Sequence, residues 1–305
     1  MKKKYVLTII AVLTVLALSG CTTGNRGEGT GGAGIGGNGL SIKWTPNVPP
    51  NTIYEDQPFE IAVEVENLGA NEIGASTDRI YFSGFSRERI SGDFYNGIQI
   101  PKLDAQTRYN SGGKDLVSIT GTIADLETQN EYQIPLTATA CYEYSTEAGG
   151  TICIDPDPFT TSTRKKSCTP GSVTLGAQGA PVKITGVQTE PASGKTRLTI
   201  TISNTGGGDV YKREALAYCN PYNTQRASYN SLNIVQVEEV SIGGTTIQCT
   251  GLGNDKTLRL IGGRGQMRCT YETTQTTEFT DQLKIKIRYG YRTSIQKNVA
   301  ILPTD

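Results

Sequence analysis

The chain has 305 residues, with 29 basic side chains against 29 acidic ones and no histidine. Balanced charge gives no overall basic surplus of the kind that draws a protein to nucleic acid or an anionic surface. The missing histidine excludes Ser-His-Asp and Cys-His catalysis, His-ligated zinc or copper, and imidazole proton shuttles.

Lys2, Lys3 and Lys4 precede an almost unbroken apolar run from Tyr5 to Leu18, which Leu18-Ser19-Gly20-Cys21 closes. Basic, then apolar, then small residues is the order of an export signal. As a helix the run spans roughly 21 Å, short of a hydrocarbon core of about 30 Å, which disfavours a retained transmembrane anchor. The closing four residues resemble the lipobox of bacterial and archaeal lipoproteins. That resemblance implies removal of residues 1–20 and lipid on Cys21, holding the protein on the extracytoplasmic face of the cell membrane. Ordinary cleaved secretion is the second reading. Without the three lysines, 26 basic residues face 29 acidic ones.

Residues 21–39 are glycine-dominated and cannot bury a core, so they read as a flexible tether. From Thr22 to Gly39 its r.m.s. reach is roughly 23 Å. Folded sequence begins at Leu40. Leu40–Trp44 alternates apolar and polar residues, Pro46, Pro49 and Pro50 break it, and Phe59–Glu66 alternates again. Phe59, Ile61, Val63 and Val65 are expected inward, with Glu60, Glu64 and Glu66 outward. Asn67-Leu68-Gly69 ends this strand. The pattern recurs: Val182–Val187, then Arg197–Ser203, then Asn204-Thr205-Gly206. An internal repeat at domain scale follows, and Asn-x-Gly is expected to turn the chain through backbone with φ > 0.

These paired strands ending in V-x-V-x-N-x-G or I-x-I-x-N-x-G resemble the opening of CARDB-type domains, the cell-adhesion-related Ig-like modules of bacterial and archaeal surface proteins. The resemblance covers the first two strands of each half. It implies sandwiches and an adhesive role. The chain as a whole is similar to two-domain lipoproteins of small-genome archaea.

Further strands are expected at 77–85, 116–123, 132–144 and 151–154, the last two flanking a Gly149-Gly150 hairpin turn. In the second half they fall at 210–218, 234–242, 245–249, 258–261, 266–271, 283–291 and 298–302. Short helical turns are expected at Ser228–Leu232 and Asp125–Glu127. Gly262-Gly263-Arg264-Gly265 reads as a hairpin loop, since it lacks the lysine and the following helix of a phosphate cradle. The fold class is all-β: two tandem Ig-like β-sandwiches, 40–175 and 181–305, after the signal and tether.

Six cysteines remain once Cys21 is set aside: Cys141, Cys153, Cys168, Cys219, Cys249 and Cys269. In an exported chain they read as three disulfides, with fifteen connectivities open. Cys141 with Cys153 across the expected hairpin, Cys249 with Cys269, and Cys168 with Cys219 between domains is the pairing argued from placement. Asp155-Pro156-Asp157-Pro158 offers two carboxylates, Asp155 and Asp157, at a spacing seen in calcium loops. No glycine or distal glutamate completes that pattern, and an Asx-Pro turn is the preferred reading. The stretch from Thr160 to Thr163, with Arg164, Lys165 and Lys166, is expected to be a solvated loop. Tyr218, Tyr222 and Tyr229 gather near one loop region and are the candidates for a recognition surface. Tyr289 and Tyr291 share a face of a late strand.

No motif selects a catalytic pair, and no cofactor is expected. The expected function is non-catalytic: adhesion, or scaffolding of a cell-surface assembly, with another surface protein or an envelope glycan as partner and no nucleic acid. A carbohydrate-binding module is the alternative, and a cryptic hydrolase the third reading.

Overall fold

The computed structural model describes residues 38–86, 88–124, 130–161 and 164–304. The export signal, Cys21, nearly all of the tether and the helical turn expected at Asp125–Glu127 lie outside the described residues.

The described chain is all-β. Its first part comprises β1 (Leu40–Trp44), β2 (Thr52–Tyr54), β3 (Pro58–Asn67), β4 (Arg79–Ser83), β5 (Ile90–Ser91), β6 (Ile98–Gln99), β7 (Lys114–Ile123) and β8 (Tyr132–Ile154). The second comprises β9 (Val182–Ala192), β10 (Lys195–Asn204), β11 (Asp209–Tyr211), β12 (Ile234–Ile242), β13 (Thr245–Thr246), β14 (Gln248–Thr250), β15 (Thr257–Arg259), β16 (Arg264–Glu272) and β17 (Phe279–Leu302). Short 3-10 turns occupy Arg213–Cys219, Tyr229–Ser231 and Asn254–Lys256.

The molecule is organised by one ladder. All 23 residues of β8 pair antiparallel with β17, from Ile154 opposite Phe279 to Tyr132 opposite Ile301. At about 3.4 Å per residue the ladder runs for roughly 75 Å of contour. Its inner face is written in the sequence at period two. Ile134, Leu136, Ala138, Ala140, Tyr142, Tyr144, Ala148, Ile152 and Ile154 are buried on β8, and Leu283, Ile285, Ile287, Tyr289, Tyr291, Val299 and Ile301 on β17.

The nine-stranded sheet built on this ladder is covered by two four-stranded sheets, β1-β3-β7-β5 and β14-β16-β10-β9. Phe59, Ile61, Val63 and Val65 of β3 face inward as the alternation requires, and Ile184, Ile200, Ile202 and Met267 do so in the second covering sheet. The result is sandwich-like at both ends of the ladder.

The expected hairpin at Gly149-Gly150 is absent, because β8 runs straight through it. Neither glycine has left-handed backbone. Gly150 instead makes room for a crossing segment: a Cβ there would meet the Thr174 carbonyl oxygen at 2.5 Å. The stretches 283–291 and 298–302 likewise belong to one strand, β17. The strand expected at 210–218 stops at Tyr211, and a 3-10 turn follows that buries Ala215, Leu216 and Cys219.

The sheets do not divide where the sequence does, near 176–181. Ala300–Leu302 of β17 pair in parallel with Thr52–Tyr54 of β2, so the end of β17 is built into the first half.

The repeat is carried in matching hydrogen bonds. In the first half Asn67 Oδ1 accepts from Gly69 N–H (3.0 Å), and Asn67 Nδ2 donates to the Asn71 carbonyl (2.8 Å). In the second, Asn204 Oδ1 accepts from Gly206 N–H (3.2 Å) and Asn204 Nδ2 donates to the Gly208 carbonyl (2.7 Å). The next residue closes back in each case, Leu68 N–H to Gly39 and Thr205 N–H to Pro181. Glu143 and Gly290 stand opposite each other at the centre of the ladder. A pseudo-two-fold axis through this pair relates Tyr142 to Tyr289 and Tyr144 to Tyr291. The sequence argument for Asn-x-Gly needs correction, however. Asn67, Gly69, Asn204 and Gly206 all keep φ outside the left-handed region, and the glycines are required for space instead.

Candidate functional site

The four tyrosines at the axis form a closed ring of contacts. Their centroids lie 5.8 to 6.3 Å apart around the circuit 142, 144, 289, 291. All four rings are buried, and each hydroxyl is held by a strand end of a covering sheet or by a turn beside one. Tyr142 accepts from Leu40 N–H (3.3 Å) and Tyr289 from Val182 N–H (3.2 Å). Tyr144 accepts from Asn71 N–H (3.2 Å) and donates to the Gly179 carbonyl (2.8 Å). Tyr291 accepts from Gly208 N–H (2.7 Å) and donates to Asn204 Oδ1 (3.2 Å). Burial pushes every one of these phenols up, Tyr144 to about 12. The late-strand tyrosines are therefore structural bolts rather than a surface.

The outer face of the ladder carries a second, smaller core. Cys141 and Tyr81 meet Tyr211, Leu216 and Cys219, with Tyr218 and Leu232 packed against them. Gly290 admits this layer, since a Cβ there would lie 2.9 Å from Leu216 Cδ1. Segment 209–233 thus reaches across from the second half onto the first. Cys141–Cys219 fastens it, Arg213 Nε donates to Glu143 Oε2 (2.8 Å), and Tyr222 donates its hydroxyl to the Phe82 carbonyl (2.5 Å).

All six cysteines are in disulfides, and the pairing differs from the expected one at two bridges. Cys249–Cys269 forms as argued, its partners directly opposite on β14 and β16. Cys141 and Cys153 share one extended strand and cannot meet, so Cys153 bonds Cys168 and Cys141 bonds Cys219. The bridge between the halves exists, but from Cys141 rather than Cys168.

The loop after β8 is pinned rather than merely solvated. Asp155 is buried with its carboxylate against the Lys166 ammonium, and its Oδ1 accepts from Asp157 N–H at 3.2 Å, an Asx turn. A cation on Asp155 and Asp157 would have to displace Lys166. Among the described residues no group of three or more Cys, Asp or Glu side chains converges. Arg164 forms two bonds to Glu278 (3.0 and 2.6 Å), which also accepts Ser167 N–H at 2.8 Å. Those bonds, Ser167 first and Arg164 next, hold the Glu278 carboxyl down at about 2.

The tyrosine trio proposed for recognition does not converge. Tyr218 is half-buried against the outer core, and Tyr222 is engaged with Phe82 and stacks edge-on against Tyr95 at 4.8 Å. Tyr229 is exposed, and the Arg259 guanidinium covers its ring at 3.9 Å. Beside it lies a shallow open depression lined by Leu258, Arg259, Ile261, Arg264 and Gln266. Ile261 was missed in the sequence reading. The hairpin Ile261-Gly262-Gly263-Arg264 forms as expected, and its tip leaves Ile261 77% exposed. An apolar residue beside a Gly-Gly turn was the available signal.

Compared with protein-family models and with curated proteins, the chain gives no match. Among solved structures, Escherichia coli alpha-2-macroglobulin activated by porcine elastase aligns with 87% of this chain and 32% of that one, at 10% identity and a TM-score of 0.11. The chain spans about a third of that protein's length, and a likeness at this score carries no argument.

Proposed function

We propose that the chain is a lipid-anchored extracytoplasmic protein of two Ig-like sandwich repeats that works by binding, as an adhesin or as a scaffold of a surface assembly. The observation that carries this reading is an open sheet edge. β7 pairs with β5 only at Thr122 and Ile123, so among the described residues the outer backbone of Lys114–Gly121 has no strand beside it. The corresponding strand of the second repeat, β16, is covered at Arg268–Thr270 by β14. An open edge of this length recruits a partner by strand addition, with backbone bonds giving affinity and exposed side chains such as Leu116 giving selectivity. The ladder and the Cys141–Cys219 bridge support the same reading, because they join both repeats into one body.

The test is a mild-detergent membrane extraction, with the chain as bait and Leu116→Lys as its control. A stoichiometric protein partner that the variant loses supports the scaffold. Recovery alone, or with envelope glycan only, overturns it.

A further inference from the structure

Net charge conceals a difference between the two covering sheets. On the outward positions of the second, Arg197 stands opposite Glu190 and Lys195 opposite Glu272, so those charges offset each other. Lys183 and Arg264 flank Ser203 in one row across three strands, and Arg268 stands opposite Thr199. Adjacent strands lie about 4.8 Å apart, which puts Lys183 and Arg264 roughly 10 Å from each other with no carboxylate between them. Among the described residues none of these three cations is in an ion pair. The matching row of the first covering sheet is Ser41, Glu66 and Lys114, where Lys114 lies 3.9 Å from Glu66 and 3.7 Å from Glu64. The repeats share their hydrogen bonds and differ in this charge.

The basic row lies where the tether leaves. Lys183 Nζ donates to Asn38 Oδ1 at 3.2 Å, and Gly39 lies against Tyr142 and Pro181 at the axis. Two exposed hydrophobic tips flank this exit. Asn204 N–H bonds the Gly263 carbonyl (2.8 Å) and fixes the hairpin that carries Ile261. Asn67 N–H bonds the Gly113 carbonyl (2.9 Å) and fixes the matching loop, which carries Arg108 and Tyr109, the latter 97% exposed.

We infer that this side of the molecule, with Lys183 and Arg264 between the tips Ile261 and Tyr109 and Arg268 further out along β16, rests on an anionic phospholipid surface, that of the membrane holding the anchor. Cations meet the headgroup phosphates while the two tips enter the interface, the combination by which peripheral proteins bind anionic lipid. With Asn38 and Gly39 on that side, an anchor upstream of them leaves the opposite side, with its Cys141–Cys219 layer, to the exterior. This inference rests on the anchored reading for its setting, but its lipid chemistry is testable apart from the anchor.

Residues 22–305 retain every described residue and lack the anchor. Their partition is measured by co-sedimentation with phosphatidylcholine vesicles and with vesicles carrying phosphatidylglycerol. Each unpaired cation near an anionic surface is worth roughly a fivefold gain, so three give a preference on the order of a hundredfold. Arg264→Ser with Arg268→Ser reduces that preference about twenty-five-fold. Ile261→Asp with Tyr109→Asp weakens binding further, and Lys43→Ser on the first covering sheet leaves it unchanged. All these positions are at the surface, and an unaltered unfolding midpoint confirms that each variant folds. Equal partition into the two vesicle types overturns the inference, as does a preference indifferent to the arginines or binding to alginate in place of vesicles. The anchor is tested separately, by the mass of Cys21 in the membrane-extracted chain. Its failure would leave the vesicle result standing.

Discussion

Tyr144 places its hydroxyl 1.9 Å from the position that a Cβ on Gly69 would occupy. The second repeat has the same arrangement, with Tyr291 Oη 2.5 Å from a Cβ on Gly206. Each Asn-x-Gly turn is therefore shaped by the phenol it receives. Gly69→Ala should destabilise the fold by about 1–3 kcal/mol through overpacking, as read by urea unfolding. Tyr144→Phe strands the Asn71 N–H, while the Gly179 carbonyl keeps its bond from Ala70 N–H, at a cost of about 1–3 kcal/mol. Combined, the two changes should cost less than their sum, because the second removes the nearest of the atoms with which the first collides, leaving the Gly179 carbonyl oxygen at 2.7 Å. Strict additivity would show that the glycine is there for another reason.

The ladder predicts that the halves are not separable. A chain ending at residue 175 leaves β8 without β17 along its whole length, and should show neither a cooperative thermal transition nor dispersed amide resonances. The full chain should unfold in one transition. Two well-separated transitions would mean that each half folds on its own.

The disulfides should differ in weight. In the loop-entropy account, closing 78 residues with Cys141–Cys219 is worth about 4.5 kcal/mol, against about 3 kcal/mol for the 15 residues of Cys153–Cys168. Replacing each pair by alanines and measuring unfolding midpoints should rank them in that order. Non-reducing peptide mapping should recover the Cys141–Cys219 peptide and none joining Cys141 to Cys153.

Acid should loosen one loop early. The Glu278 carboxyl titrates at about 2 in the folded chain, below its ordinary 4.5. A depressed carboxyl stabilises the fold fully above 4.5, and that contribution is lost as pH falls from 4.5 towards 2. Hydrogen exchange at Ser167 should quicken over this window. Glu278→Gln should already exchange fast at neutral pH, and a flat profile in the parent chain would refute the assignment.

Alkali should act on the tyrosine ring in the opposite sense. Tyr144 is raised to about 12, so its contribution holds below the ordinary phenol value of 10 and is lost as pH rises through 12. Phenolate absorbance from the four buried tyrosines should appear only together with unfolding.

Much of this architecture was legible because alternation at period two is hard to disguise. Phe59–Val65 and Ile234–Ile242 lie in strands, and the Asn-x-Gly endings marked a true repeat. Gly149-Gly150 misled because glycine permits a turn and also permits another backbone to pass close, and composition does not separate the two. That single ambiguity cut β8 in half and carried the cysteine pairing with it. β2 was invisible, since three residues acquire strand character only from the parallel edge of β17. The recognition trio failed for a related reason: Tyr222 lies near Tyr218 in sequence, yet its environment is supplied by Phe82 and Tyr95, over a hundred residues earlier.

The pairing of β17 with both β8 and β2 also imposes an order on biogenesis. Ribosomes deliver the N-terminal part first, so the first half is made long before the strand that completes its sheet. Throughout that interval β8 presents a naked edge of 23 residues, the kind of template on which nascent chains aggregate. The 24 residues of β17, which follow every other strand described, are those that cap it. Folding in this sense waits on β17, and a chain truncated even slightly before Ala300 forfeits the closing contact with β2.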